Sequence, residues 1–398
     1  MSKLVSDFLR VAVLLPTAIK TCREMLRGVL RYTSLHGPWD VQIIEGREGE
    51  QKLSRFSEWG CTGVIGNFYD SRFAHYLSRM DVPVVSIDPE GDAGPPPSRI
   101  AGFVVCDNAP IGRAAARYFV ERGFDNFAFV GEVNGYWWSV ERQQAYTETL
   151  KAHGHDCETY VVPSGSVQHD AGRERRHLAA WLAGLKKPVA LFVAFDMRAR
   201  QVLDECRKAG IAVPQDVAVL SCDNDELICE TAVPQLSSIQ MADEQAGFDA
   251  ARLLDMAMRG QLRRRKTPLR VSYGFADIVT RASSEYLQLK DPLVERALSC
   301  IRLNGGVSFT VNDLAKQLSV SRRLLELHFR HALGRTIHDE IVRVRIDRAK
   351  NLLRTTASPI EELASMCGFA SASHLCSVFK RRTGVTPFAF RRKGEAAR

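Results

Sequence analysis

Polar and aromatic residues gather just behind short apolar runs in the first part of the chain. Asn67, Tyr69 and Asp70 follow Val64–Ile65, Asp88 follows Val84–Ile87, and Asp107 and Asn108 follow Val104–Val105. Trp137 and Trp138 come after Phe127–Gly131, Asp196 after Ala190–Ala194, and Asp223 and Asn224 after Val217–Leu220. Flat rings pack on the C–H face of a polyol, while carboxylates and amides accept from and donate to its hydroxyls. The set therefore suits a sugar. Asp and Asn in such places serve equally well as caps of the helix that follows, so residue type alone leaves both roles open.

The elements that must position them alternate. Phe8–Leu15, Trp39–Ile44, Gly63–Ile65, Val82–Ile87, Phe127–Val130, Thr159–Val162, Val189–Val193 and Val217–Ser221 read as strands, with a last one at Val271–Phe275. Helical periodicity covers Lys20–Thr33, Ser71–Met80, Ile111–Arg122, Glu141–His153, Gly172–Ala183, Met197–Ala209 and Ala242–Met258. Gly91–Pro97 (GDAGPPP) is a loop. Strands alternating with helices argue for parallel sheets flanked by helices. Ligands on such sheets bind at the carboxyl ends of the strands, which is where the polar residues stand.

Two features set the C-terminal part apart. Val311–Thr336 (VNDLAKQLSVSRRLLELHFRHALGRT) and Ile360–Thr386 (IEELASMCGFASASHLCSVFKRRTGVT) repeat one another. Leu314 and Ala315 match Leu363 and Ala364 at an offset of 49; Ser321, Leu325, Phe329, Gly334 and Thr336 match Ser371, Leu375, Phe379, Gly384 and Thr386 at an offset of 50. One residue is inserted at the turn of the second copy, a pattern composition alone does not produce. Charge singles out the same stretch. Residues 291–398 hold 19 Lys+Arg and 10 Asp+Glu, which leaves 35 and 36 for residues 1–290 of a chain with 54 and 46 in all. A basic module on a near-neutral body is the footprint of a nucleic-acid binder.

Seven tail helices are expected: Pro292–Leu303, Val311–Leu318, Ser321–Ala332, Ile337–Arg354, Ile360–Met366, Ser371–Arg382 and Pro387–Arg392. Asp291 caps the first, and Gly334 and Gly384 close the two reader-type helices. The connecting helix of 18 residues is ~27 Å long at ~1.5 Å per residue, which suits readers in successive major-groove segments ~34 Å apart. The polar stretch Ala282–Lys290 reads as a hinge, and Arg259–Arg270 as a basic loop whose charge is either solvated or set against phosphate.

Composition bounds the rest. At 398 residues the chain holds two or three domains. No run of eighteen apolar residues exists, so no membrane span is expected, and the start reads as a first strand rather than an export signal. The ten cysteines are scattered, without Cys-x-x-Cys or zinc spacing, and are expected to be reduced. No metal or cofactor is expected. Neither a phosphate-cradling loop nor a Gly-x-Ser-x-Gly elbow appears, so no enzyme activity is expected.

Residues 8–280 resemble the effector-binding body of the lactose-repressor class. The resemblance lies in Val104–Gly131 (VVCDNAPIGRAAARYFVERGFDNFAFVG), the helix around Arg142, Ala190–Leu227 and Pro234–Leu254. It implies a periplasmic-binding-protein-like α/β fold of two lobes joined by crossing strands, with a small ligand between them. Arg142, Asp196 and Asp223 then occupy positions that touch the effector, with Trp138 and Asn224 beside them. Asn67 and Asp70 complete the candidate set. That class carries its DNA-binding helices ahead of the body; here the body starts almost at Met1, so the element is expected behind it.

Pro292–Arg392 is similar to the arabinose-regulator family, most closely over Arg348–Pro387 (RAKNLLRTTASPIEELASMCGFASASHLCSVFKRRTGVTP). The resemblance implies an all-α domain with helix-turn-helix units at 311–332 and 360–382. By position, Arg322, Arg323, Glu326 and Leu327 face the groove from the first reader and Ala372, Ser373 and Ser377 from the second. Arg330, Lys380, Arg381 and Arg382 are placed for phosphates. Basic residues are common in the family where this chain has Leu327 and His328, so apolar contact with a thymine methyl is expected there.

The expected order is an effector domain at 8–281, a linker at 282–291 and the DNA-binding domain at 292–398. It resembles the xylose-operon-regulator family over nearly the whole chain, with WSVERQQAY, DMRARQVL and CDNDELI as local matches and Thr21 and Cys22 as departures. That resemblance implies a cytoplasmic, dimeric, sequence-specific regulator of transcription. It would bind double-stranded DNA and a small sugar, xylose or a related monosaccharide, and would engage RNA polymerase if it activates. The alternative is a sugar-binding protein without a regulatory role, which would need an export signal and no basic tail.

Overall fold

The computed structural model describes residues 9–44, 59–67, 81–89, 100–163, 171–262, 267–285, 291–303, 309–356 and 358–396. The helix expected at Ser71–Met80, the loop at Gly91–Pro97, and Tyr69 and Asp70 lie outside these residues. Contacts divide the chain into two units, Met1–Tyr286 and Leu287–Arg398.

The first unit is built on two six-stranded sheets. One has the order β11-β5-β4-β3-β1-β2, from Leu269–Tyr273, Ile100–Cys106, Val84–Ile87, Gly63–Gly66, Leu9–Leu14 and Trp39–Ile43. All its neighbours are parallel. The other has the order β12-β10-β9-β8-β6-β7, from Phe275–Val279, Ser237–Met241, Val217–Asp223, Val189–Val193, Phe127–Val130 and Cys157–Thr159. Only β12 there runs antiparallel, against β10. The inner strands are continuous apolar runs such as VALFV and FAFV, fully buried because helices cover both faces.

Seven helices of this unit are described: α1 Lys20–His36, α2 Asn108–Val120, α3 Trp137–Ala152, α4 Ala171–Gly184, α5 Asp196–Lys208, α6 Glu226–Thr231 and α7 Asp243–Met258. Helices α1 and α7 pack side by side on the first sheet, around Met25, Val29, Ala250 and Leu254. Their crossing is close because both carry glycine at it. A Cβ on Gly247 would stand 1.8 Å from the Met25 carbonyl oxygen, and one on Gly28 would stand 1.9 Å from that of Glu244.

Several expected boundaries move. The last strand, expected at Val271–Phe275, is two strands, β11 and β12, which meet at Gly274 and lie in different sheets. Their pairing separates them, β11 lying against β5 and β12 against β10. Strand β10 (SSIQM) and helix α6 were not anticipated; two serines hide the apolar signal of the first. Helix α3 starts a turn earlier than Glu141, which puts Trp137 and Trp138 on its first turn. Strand β7 stops at Thr159, leaving Val161 exposed.

The chain passes between the two lobes at Cys106–Asn108, Met241–Asp243 and Tyr273–Phe275. These crossings are tied together: Asp107 N donates to Tyr273 O at 2.7 Å, and Ala242 N donates to Gly274 O at 2.9 Å. The expected hinge also begins later than Ala282. Ser283 and Ser284 are fully buried in the first unit. Ser283 Oγ donates to Val219 O at 2.7 Å, and Ser284 Oγ lies 2.7 Å from Tyr118 OH.

The second unit holds α8 Pro292–Leu303, α9 Val311–Gln317, α10 Arg322–Leu333, α11 Ile337–Thr355, α12 Ile360–Met366, α13 Ala372–Thr383 and α14 Pro387–Ala396. It has two small cores with one helix in common. Ile337 and Ile341 of α11 close the first core with Leu314, Leu325 and Phe329. Val342, Ile346, Ala349 and Leu353 of the same helix close the second with Leu363, Leu375 and Phe379.

Repeated residues have repeated jobs. Ser321 and Ser371 cap the two reader helices, each Oγ accepting at 3.2 Å from the amide three residues on. Gly334 and Gly384 end them in the left-handed conformation. At the turns, Val320 N donates to Ala315 O and Phe369 N donates to Ala364 O. The inserted residue is thus Ala370. Ser319 holds a positive φ of 57° where the second copy has Gly368 at 72°.

Candidate functional site

The first unit contains a cavity of about 740 Å³ between its two lobes. The first lobe supplies Lys20, Thr21, Cys22, Asn67 and Asp88; the second supplies Trp137, Trp138, Arg142, Phe195, Asp196, Asp223 and Asp225. Cys106, Asn108, Met241, Asp243 and Tyr273, at the crossings, also line it, as do apolar residues such as Leu14, Met25, Ile44 and Ile228. Apart from Arg142, on the second turn of α3, the polar groups arrive at the carboxyl ends of strands or the starts of helices, as the topology requires.

Arg142 is the centre of one side. It is 6% exposed. Its Nε donates to Asn108 Oδ1 at 3.0 Å and its Nη1 to Ala194 O at 2.7 Å. The guanidinium carbon lies 5.0 Å from the Trp138 ring centre, within cation–π range. Asn108 is held in turn by Glu141, to which its Nδ2 donates at 3.0 Å. Arg142 Nη1 is 3.9 Å from Asp223 Oδ1.

Asp196 organises the strand end that carries Asp223. Ser238 Oγ donates to its Oδ1 at 2.7 Å and Asp225 N to its Oδ2 at 2.6 Å. These bonds pin a turn in which Asp223 and Asn224 both have positive φ, 104° and 51°, uncommon for residues other than glycine. Asp196 therefore lines the cavity while shaping the next wall. Burial pushes its carboxyl above the ordinary range, against the hydrogen bonds it accepts. Burial also lifts Asp223 to about 8, with Arg142 and Lys20 opposing and Asp196 and Asp243 adding to the rise.

Lys20, Asp243 and Tyr273 belong to the site and were missed in the sequence. Lys20 Nζ donates to Asp223 O at 2.8 Å, across the lobes, and to Asp243 Oδ2 at 3.4 Å. Tyr273 OH donates to Asp88 Oδ2, and Cys106 N donates to Asp88 Oδ1 at 2.6 Å. Burial raises Asp243 to about 7, against Lys20. Asp243 opens the helix after a crossing and Tyr273 ends a strand before one, so neither could be placed until the crossings were known.

Five of the seven anticipated effector residues line the cavity: Asn67, Trp138, Arg142, Asp196 and Asp223. Asp70 lies outside the described residues. Asn224 does not line it. Its Nδ2 donates to Gln240 Oε1 at 2.7 Å and its Oδ1 accepts from Arg281 at 2.8 Å, so its amide is used up behind the wall. Asp107 likewise caps α2, accepting from Ala109 N. Of the eight buried side-chain polar atoms without a partner among the described residues, Asn67 Oδ1 and Trp137 Nε1 belong to residues of the cavity wall.

In the second unit the anticipated reader residues stand mostly at exposed positions. Arg322, Arg323, Glu326, Leu327 and Arg330 of α10 are exposed, as are Ser373, Ser377, Lys380 and Arg381 of α13; Ala372 is half-buried. Leu327 is 67% exposed, so nothing in its own fold accounts for an apolar side chain there. Arg322 is not free: its Nε donates to Glu326 Oε1 at 2.7 Å and its Nη1 to Asn312 Oδ1 at 3.3 Å. Arg382 is bound to Asp339, stapling α13 to α11. His328 turns inward to Asp291, whose other oxygen caps α8. Among the described residues Arg323, Arg330, Lys380 and Arg381 carry no ion pair, which leaves their charges for a ligand.

The chain resembles known proteins in both units. Residues 116–284 match a family described as a periplasmic binding protein-like domain, and residues 314–393 a helix-turn-helix domain. A xylose operon regulatory protein of Haemophilus influenzae is 29% identical over 93% of this chain and 94% of its own length. That of Escherichia coli K12 is 29% identical over 93% of each. A solved xylose-binding transcription activator, 27% identical, superposes with a TM-score of 0.72 over 98% of this chain and 99% of its own. A regulator–cellobiose complex aligns over 69% of this chain and 84% of its own with a TM-score of 0.56 at 23% identity, a likeness of fold alone.

Proposed function

We propose that this chain, a xylose operon regulator-like transcription factor with its effector domain ahead of its DNA-binding domain, regulates transcription in answer to a small sugar. The observation that carries the reading is the cleft: indole rings, an engaged arginine and carboxylates converge where two lobes meet, on the same chain as a doubled helix-turn-helix. Xylose or a related monosaccharide is the effector. Trp138 supports its ring face, while Asn67, Arg142 and Asp223 meet its hydroxyls. Asp196 positions Asp223.

On the DNA side, Arg323 and Leu327 read base edges, with Arg322 and Glu326 presented as a joined pair. Arg330, Lys380 and Arg381 hold phosphates, and the small residues Ala372, Ser373 and Ser377 let the second reader approach closely. The protein works as a cytoplasmic homodimer, activates by engaging RNA polymerase, and has no enzyme activity. Sugar bound across the lobes shifts an existing equilibrium between arrangements of the DNA-binding parts, by no more than its differential affinity for them.

The test is a gel-shift titration of the intact protein on its own upstream DNA, with and without D-xylose. Affinity is expected to depend on sequence, to fall steeply with salt, and to change with the sugar. Binding indifferent to sequence would remove the regulator; binding indifferent to every pentose and hexose would remove the sugar.

A further inference from the structure

The cleft's own charges restrict what can enter it. Five carboxylates line it, those of Asp88, Asp196, Asp223, Asp225 and Asp243, against two cations among the described residues, Lys20 and Arg142. Both cations already serve the protein. Lys20 lies between the Asp223 carbonyl and the Asp243 carboxylate, and Arg142 gives Nε and Nη1 to Asn108 and Ala194. Asp88 and Asp196 each accept two short hydrogen bonds from the protein. Asp223 differs. No donor bonds its carboxylate among the described residues; its nearest cation is Arg142 at 3.9 Å, and the side chain is 25% exposed where it borders the cavity.

A ligand in contact with Asp223 must therefore bring donors, as a polyol does. An anion placed there would face Asp223 and its neighbours Asp243 and Asp196, with both cations already engaged. We propose that the cleft selects an uncharged polyol and rejects the acid and phosphate derivatives of the same sugar, with Asp223 as the discriminating residue. The regulator then reports the sugar ahead of any oxidation or phosphorylation that installs a negative charge. This rests on the cleft being the sugar site. Burial lifts Asp223 to about 8 and Asp243 to about 7, so this repulsion of an anion is full only above about pH 8 and fades as the two carboxyls take up protons below it.

The experiment is calorimetric titration of the intact wild-type protein with D-xylose, D-xylonate and D-xylose 1-phosphate at one ionic strength and about pH 9, where Asp223 is ionised. The two anions are expected to bind roughly a hundredfold more weakly than the neutral sugar, the order of one like-charge contact at intermediate dielectric. Asp223→Asn should narrow that gap severalfold; the wild-type ratio decides the matter if the variant does not fold. Anions binding within about tenfold of xylose would overturn the selection and leave the sugar site standing. Failure of all three probes and of other neutral monosaccharides to bind would remove the sugar site, and the selection with it.

Discussion

Gly247→Ala should damage the sugar cleft from a distance. The added Cβ would sit 1.8 Å from the Met25 carbonyl oxygen, whereas a relaxed carbon–oxygen contact is about 3.3 Å or more. Helices α1 and α7 must part by ~1.5 Å, because the obstacle is backbone and cannot swing away. Their first residues are Lys20 and Asp243, now 3.4 Å apart. Separation on that scale takes the pair past the ~4 Å limit of an ion pair. It also pulls Lys20 from the Asp223 carbonyl. Overpacking of this severity costs ~3 kcal/mol, a fall of roughly 6–12 °C in Tm for a domain of this size. Gly184 has nothing within 4 Å of its added Cβ, so Gly184→Ala is expected to be neutral or to stabilise by up to ~1 kcal/mol. Scanning calorimetry of both variants, followed by xylose titration below the transition, checks the pair. If Gly247→Ala melts within about 2 °C of wild type and binds sugar normally, the close crossing does not hold the cleft in shape.

Stability of the first unit should fall as pH rises from about 4 to about 8. Asp223 and Asp243 ionise near 3.8 when unfolded but are lifted to about 8 and about 7 by burial, so the unfolded state holds fewer protons in that window. Urea unfolding at a series of pH values should show the slope, flattened in Asp223→Asn; stability rising across the window would refute it. Arg323→Ala should cost ~1–3 kcal/mol of discrimination at one base step, while Lys380→Ala should weaken all sequences alike and lower the salt slope by about 0.9. Gel shifts on singly substituted operators distinguish them, and uniform losses for both would overturn the assignment. Ser321→Ala and Ser371→Ala should each cost ~1 kcal/mol and nearly the same amount, because the two caps share one geometry. Unequal shifts in thermal unfolding would show that the repeat is one of sequence only.

Much of this molecule was legible without coordinates wherever the signal is local. Helix ends marked by Asp291, Gly334 and Gly384 fall where capping chemistry places them, since those interactions span three or four residues, whereas Ser321 and Ser371, expected as first residues of their helices, are the caps just outside them. The apolar strands and the doubled tail follow from periodicity and self-similarity in the same way. Charge located the DNA-binding part because net charge is a sum and needs no geometry.

What needed the tertiary structure is whatever depends on partners far along the chain. Lys20 meets Asp223 and Asp243 more than 200 residues away, and nothing in either neighbourhood announces the other. Asn224 and Asp223 are adjacent and equally polar, yet one faces the cavity and the other turns behind it, because Asp196 and Ser238 fix the turn between them. Arg322 looks like a base reader by position and His328 stands where an apolar groove contact is expected, but Glu326, Asn312 and Asp291 already hold them. Residue type determined which groups were available. Only the packing of distant elements, with each group's hydrogen bonds accounted for, decided which were left for a ligand.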